Sequence, residues 1–209
     1  MARIEYKNAD GQILSGVTTI LGNNLAWNKG ALIGWAYNQG KAGRPLRDQA
    51  ALDIGTITHK WVEADIKGKK FEMPDIVPEM KEKIENSFMG YLEWKDQTKF
   101  ELIQSELSLV SEQFKFGGTI DIIGKISSQP AIIDIKTSDA IYIDHKCQVA
   151  AYKMLFNENY PEKPITMVYI LKLGKKDGGF SHHYLPDLTK EWKVFLLLLE
   201  LEKFRKDLA

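Results

Sequence analysis

The rhythm of apolar and polar positions changes at Phe100. Before it, most of the chain reads as helix. Ala26 to Gln39 is rich in aromatic and small residues. Asp48 to Lys67 follows, with an interruption or restart expected near Gly55. Pro78 suits a first helical turn and opens a long helix to about Gln97. Gly40 to Arg47 reads as a loop, and Asp10-Gly11 as a turn after a short polar strand. Beyond Phe100, Leu102, Leu107, Leu109 and Phe114 fall in extended, alternating segments. They predict strands at about Glu101–Gln113, Lys115–Ile126 and Ala131–Lys136. Ile143–Asn159 then reads as a helix ended by Tyr160-Pro161. Ile165–Leu173 and Gly179–Leu185 read as a hairpin, and Asp187 as the N-cap of a last helix. The sum is an α/β domain with a mixed sheet flanked by helices.

Composition narrows this picture only a little. At 209 residues, 44% hydrophobic and 27% charged, the chain fits one globular domain. The formal net charge is zero, so no basic excess marks a nucleic-acid partner; a local basic groove beside gathered carboxylates remains compatible with that balance. The single cysteine, Cys147, excludes an intrachain disulfide and any four-cysteine cluster. A reducing, cytoplasmic setting is expected. The most apolar stretch, Val194–Leu201, is too short to span a membrane.

The chemistry centres on Ile132-Ile133-Asp134-Ile135-Lys136-Thr137. An acid and a lysine two apart on an apolar strand face the same side of a sheet. Buried charge needs compensation, and a metal ion would supply it; alone, the pair also fits an exposed strand end. Gly117-Gly118-Thr119-Ile120-Asp121 places a second acid in the preceding strand, an expected antiparallel neighbour. Two such carboxylates suit Mg²⁺ or Mn²⁺. Gly55-Thr56-Ile57-Thr58-His59 offers an imidazole on a helix. Gln148 and Tyr152, four apart, share a helix face and can reach phosphate oxygens. Each piece alone also fits a structural residue.

In this order, Gly-x-x-x-His, Gly-x-x-Asp, Asp-x-Lys-Thr and Gln-x-x-x-Tyr resemble the RecB/Cas4-like branch of the PD-(D/E)xK nucleases. Val17-Thr18-Thr19-Ile20-Leu21 with Trp27, the acid Glu106, the terminal hairpin and the Trp192 helix extend the likeness over nearly the whole chain. The resemblance implies a restriction-endonuclease-like core at 100–209 and a mainly helical part at 1–99 that would arch over the site. It implies Asp121, Asp134, His59 and the Ile135 carbonyl as ligands of Mg²⁺ or Mn²⁺, with Glu106 supporting them or serving a second metal. Lys136 would orient or deprotonate the attacking water, and Gln148 and Tyr152 would hold the substrate strand. The iron–sulfur cluster of Cas4-type members is not expected, which moves the match toward phage-type and mitochondrial genome-maintenance-like exonucleases.

Aromatic and basic residues interleave near the N-terminus. Trp27 and Trp35 would stack on bases, or taken singly would serve as core residues; Lys29, Lys41, Arg44 and Arg47 would meet phosphates. The expectation is therefore a monomeric, metal-dependent exonuclease acting on single-stranded DNA ends in replication, recombination or repair, in a viral or phage setting. The alternatives are an endonuclease, and a non-catalytic nucleic-acid-binding protein on the same fold.

Overall fold

The computed structural model describes residues 4–25, 29–43 and 49–208. A short hairpin of β1 (Tyr6–Lys7) and β2 (Ile13–Leu14) comes first. Four helices follow: α1 (Val17–Asn24), α2 (Lys29–Lys41), α3 (Gln49–Ile66) and α4 (Pro78–Thr98). Then come β3 (Glu101–Ser111), β4 (Phe116–Ile126), β5 (Gln129–Lys136), α5 (Ile143–Asn159), β6 (Met167–Leu173), β7 (Phe180–Tyr184) and α6 (Thr189–Asp207). Strands β3 to β7 form one mixed sheet in sequence order. All its pairings are antiparallel except β5 with β6, which α5 joins as a parallel crossover.

Each sheet face carries its own core. Ile120, Ile123, Ile132, Val168 and Ile170 pack under α1, α5 and α6. Ile122, Ile126, Ile133, Ile135 and Leu171 pack against Val62 of α3 and Phe88, Tyr91 and Trp94 of α4. Rings run through the second core: Trp61 stacks on Phe88 at 4.0 Å, and Trp94 meets Phe100 at 5.1 Å. Burying side chains of this size against a sheet dominates the stability of such a layer.

Three local expectations need correcting. Helix α3 runs unbroken through Gly55. That glycine is explained by approach, since a Cβ there would lie 3.1 Å from Thr137 Oγ1. The N-cap position of α6 belongs to Leu188, although Asp187 still accepts from the Thr189 N–H at 2.9 Å. Strand β5 begins at Gln129, because Ser127 and Ser128 both take positive φ and close a two-residue turn. Pro130 is tolerated inside β5 because β6 starts pairing only at Ala131. The sequence pattern does not predict the helix Val17–Asn24.

Candidate active site

Strand β4 pairs with β3 along nearly its whole length but with β5 only over residues 122–126. Continuing the Ile122↔Ile133 register by one residue sets Asp121 opposite Asp134. There the ladder opens: Asp121 Oδ2, not a backbone carbonyl, accepts the Ile135 N–H at 3.0 Å. The alternation of β4 also slips at this point. Ile120 and Ile123 belong to one core and Ile122 to the other, whereas a strict period of two would group Ile120 with Ile122. Opposite the slip, Glu106 of β3 has φ +52°, a conformation rare outside glycine. Irregular strand geometry of this kind re-aims side chains.

The slip lets Asp121 be reached from the α3 side of the sheet. His59, one turn after Gly55, puts Nδ1 3.6 Å from Asp121 Oδ2. Glu63, a further turn along α3, joins His59, Glu106 and Asp121 around an open cleft of about 310 Å³. Glu63 belongs to none of the sequence motifs; its four-residue spacing from His59 is the signal that places it on the same helix face. The Glu106 carboxyl is pushed up to about 7, first by burial and then by Asp121 and Glu63, against the pull of Lys67. The residue as a whole is exposed, but its carboxyl end lies on the cleft wall.

On the α5 side, regular alternation along β5 puts Asp134 and Lys136 on one face. Asp134 is 1% exposed. Lys136 Nζ lies 2.7 Å from its Oδ2. The contact is one of charge: among the described residues neither Asp134 oxygen has a well-aligned hydrogen-bond partner. Burial pushes the Asp134 carboxyl up to about 7, opposed by Lys136 and reinforced by Asp121. For Lys136, burial alone would lower the value, but Asp134 and Asp121 lift it above the ordinary lysine range, so it stays charged. A chain of hydrogen bonds then runs along α5: Lys136 Nζ donates to Gln148 Oε1 at 3.0 Å, and Gln148 Nε2 to Tyr152 Oη at 2.8 Å. Tyr152 is 4% exposed, and burial together with Asp121 and Asp134 raises its phenol well above the usual value. Its ring passes over Gly118, where a Cβ would come within 2.9 Å of Cε1. His145, at the start of α5, likewise belongs to none of the sequence motifs. Burial and then Lys136 pull its imidazole down to about 4, against Asp144.

Among the described residues, no three His, Cys, Asp or Glu side chains stand close enough to hold a metal ion as placed. Asp121 is engaged by the Ile135 N–H and Asp134 by Lys136. The chemistry of the set nevertheless fits a hard divalent cation: carboxylates at facing positions of β4 and β5, near enough for Asp121 to raise Asp134, with Asp134 Oδ1 buried and unpartnered among the described residues, and an imidazole 3.6 Å from Asp121.

Of the strand-binding candidates, Trp35, Lys29 and Lys41 are exposed on α2. Trp27, Arg44 and Arg47 lie outside the described residues. No helix among the described residues is long and apolar enough to cross a membrane.

The PD-(D/E)XK nuclease superfamily model matches residues 32–194. The chain belongs to that superfamily. Its mixed sheet flanked by helices is the restriction-endonuclease-like fold of the family. A crystal structure from Eubacterium rectale, of a protein described as a presumed exonuclease, is similar at TM-score 0.51 and 17% identity, covering 80% of this chain and 70% of that one. At that identity the likeness concerns the fold alone. The crystal structure of SSO0001 aligns at TM-score 0.35 and 15% identity over 70% of each chain, too low to bear on the argument. No curated protein matches the chain. Membership implies a nuclease that binds DNA, in a family whose members generally use Mg²⁺ or Mn²⁺.

Proposed function

We propose that this nuclease is a metal-dependent exonuclease of the RecB/Cas4-like branch without an iron–sulfur cluster, degrading DNA from single-stranded ends. The observation that carries the reading is the opening of the β4–β5 ladder at Asp121 and Asp134, with Lys136 held between Asp134 and Gln148. Asp121, Asp134, His59 and the Ile135 carbonyl would hold the cation, with Glu106, and Glu63 beside it, available for a second. A bound Mg²⁺ or Mn²⁺ supplies Lewis acidity and a water of lowered pKa. The chain's own residues supply the rest. Lys136 brings a fixed positive charge to the scissile phosphate and orients the attacking water. Gln148 holds Lys136 in place and is itself held by Tyr152. The Tyr152 hydroxyl, kept neutral, retains a proton to donate to a phosphate oxygen.

Strand selection falls to the N-terminal helices in this reading. Within residues 1–99, α1, α3 and α4 pack on the sheet, and α2 would arch over the site, with Trp35, Lys29 and Lys41, and with Trp27, Arg44 and Arg47, guiding a single strand to it. The setting would be phage or viral replication, recombination or repair, with the protein acting as a cytoplasmic monomer.

The test is digestion of end-labelled single-stranded DNA, linear and circular, with Mg²⁺ or Mn²⁺. Wild type should shorten linear DNA and leave circles whole, and Asp134→Ala and Lys136→Ala should abolish release. Cutting of circles would replace the exonuclease with an endonuclease. Binding without cutting under either metal would remove catalysis from the reading.

A further inference from the structure

Strands β5 and β6 are parallel, and their register pairs Lys136 with Lys172. The side chains lie on the same face. Val168 and Ile170 of β6 belong to the core under α5, as does Ile132 of β5. Tyr169, Leu171 and Leu173 belong to the opposite core with Ile133 and Ile135. Alternation therefore puts Lys172 on the α5 side beside Lys136. Two like charges on neighbouring strands, about 5 Å apart at the backbone, repel unless something anionic compensates them.

Of the two, Lys136 has a carboxylate partner among the described residues and Lys172 does not. Lys136 has Asp134 at 2.7 Å. Lys172 is half-buried, and among the described residues its Nζ meets the Asp139 carbonyl, at 3.4 Å, but no carboxylate. The Asp139 carboxylate is 84% exposed and reaches Lys175 instead, at 3.9 Å. The C-terminal ends of β5 and β6 thus present a second ammonium, bonded to a backbone carbonyl but to no carboxylate among the described residues, next to the lysine already assigned to the scissile phosphate.

We infer that Lys172 is a phosphate-binding residue that holds the nucleic-acid backbone at a phosphodiester neighbouring the one Lys136 serves. This rests on the nuclease reading above. An ammonium is a compact point charge suited to a phosphate oxygen. A backbone contact of this kind sets the register of a strand without reading its bases. Lys172 thereby fixes which bond lies over Asp121 and Asp134, and it acts by positioning rather than on the reacting atoms.

The experiment measures first-turnover cleavage of single-stranded oligonucleotides in which one phosphodiester at a time, on either side of the scissile bond, is an uncharged methylphosphonate. Wild type, Lys172→Ala and Lys172→Arg are compared. Wild type should lose about tenfold in kcat/KM at one neighbouring position, the size of a charge-assisted contact. Lys172→Ala should lose about tenfold on the natural strand and nothing further at that position, while Lys172→Arg keeps most activity. If wild type and Lys172→Ala respond alike to every methylphosphonate, Lys172 only covers apolar surface with its stem and the inference fails. If wild type cuts nothing, the nuclease reading is what fails, and Lys172 is judged by binding of single-stranded DNA against salt. A log–log slope smaller by about 0.7 in Lys172→Ala marks one lost phosphate contact; an unchanged slope overturns it.

Discussion

Replacing Gly118 by alanine adds one methyl group to the strand that carries Asp121. Built on the backbone, that Cβ meets Tyr152 Cε1 at 2.9 Å, Val17 Cγ2 at 3.1 Å and Leu155 Cδ2 at 3.2 Å. Ordinary carbon contacts sit at about 3.5–4.0 Å, so the tyrosine ring must retreat by roughly 0.6 Å or more. It is fully packed, and its hydroxyl is the acceptor that holds Gln148 at 2.8 Å. The retreat therefore passes along the chain to Lys136. Overpacking of this kind costs about 1–3 kcal/mol of stability. A shift approaching 1 Å in a positioning group costs up to about a hundredfold in rate. Urea unfolding and nuclease kinetics on the same preparation check both numbers. Gly118→Ala should stay folded at 25 °C, with a midpoint lowered by that amount and kcat down by about ten- to a hundredfold. Unchanged kcat alongside the stability loss would refute the claim that Tyr152 and Gln148 position Lys136.

Glu202 is 2% exposed and binds Asn24, at 2.8 Å, and Arg205, at 2.9 and 3.0 Å. Those contacts, that from Arg205 first, hold its carboxyl down to about 2 from an ordinary 4.5. A depressed acid contributes stability above its unfolded pKa and loses it as pH falls through the folded one. Wild type should therefore shed about 3 kcal/mol between pH 5 and pH 2 relative to Glu202→Gln; parallel denaturation curves over that range would sink the assignment. Glu106 carries the opposite sign. Its carboxyl is raised to about 7, so ionisation costs stability as pH rises from 4.5 through 7. In metal-free protein, Glu106→Gln should match wild type at pH 4 and exceed it in melting temperature at pH 8, and equal melting at both pH values would count against the charge cluster in the cleft. His59→Ala should keep the fold, since the ring is only half-buried, and should raise the Mn²⁺ concentration needed for half-maximal activity by tenfold or more; an unchanged requirement would remove His59 from the metal set.

The periodicity of the chain already told most of the elements apart. Pro78 and Tyr160-Pro161 punctuate it where backbone chemistry requires, and a period of two correctly put Asp134 and Lys136 on one face. Those are local properties, set by each residue's own dihedral and side-chain preferences. Gly55 shows where local signals mislead: its helix cost argued for a break, while the reason for it, the approach of α3 to Thr137, is made by a residue 82 positions away. The slip of β4 at Asp121, the turning of Asp134 onto Lys136, and the gathering of Glu63, Glu106 and His59 around one cleft depend on which strands pair and in what register. So does the pairing of Lys136 with Lys172, which no spacing along the chain encodes. Sequence determined most of the elements, α1 excepted, and the ordered motif, because those follow from short-range periodicity and chemistry. Only the tertiary structure decided which charges meet, because neighbouring groups in the site come from strands and helices far apart in the chain, and their alignment is set by packing the two cores rather than by the residues of the site.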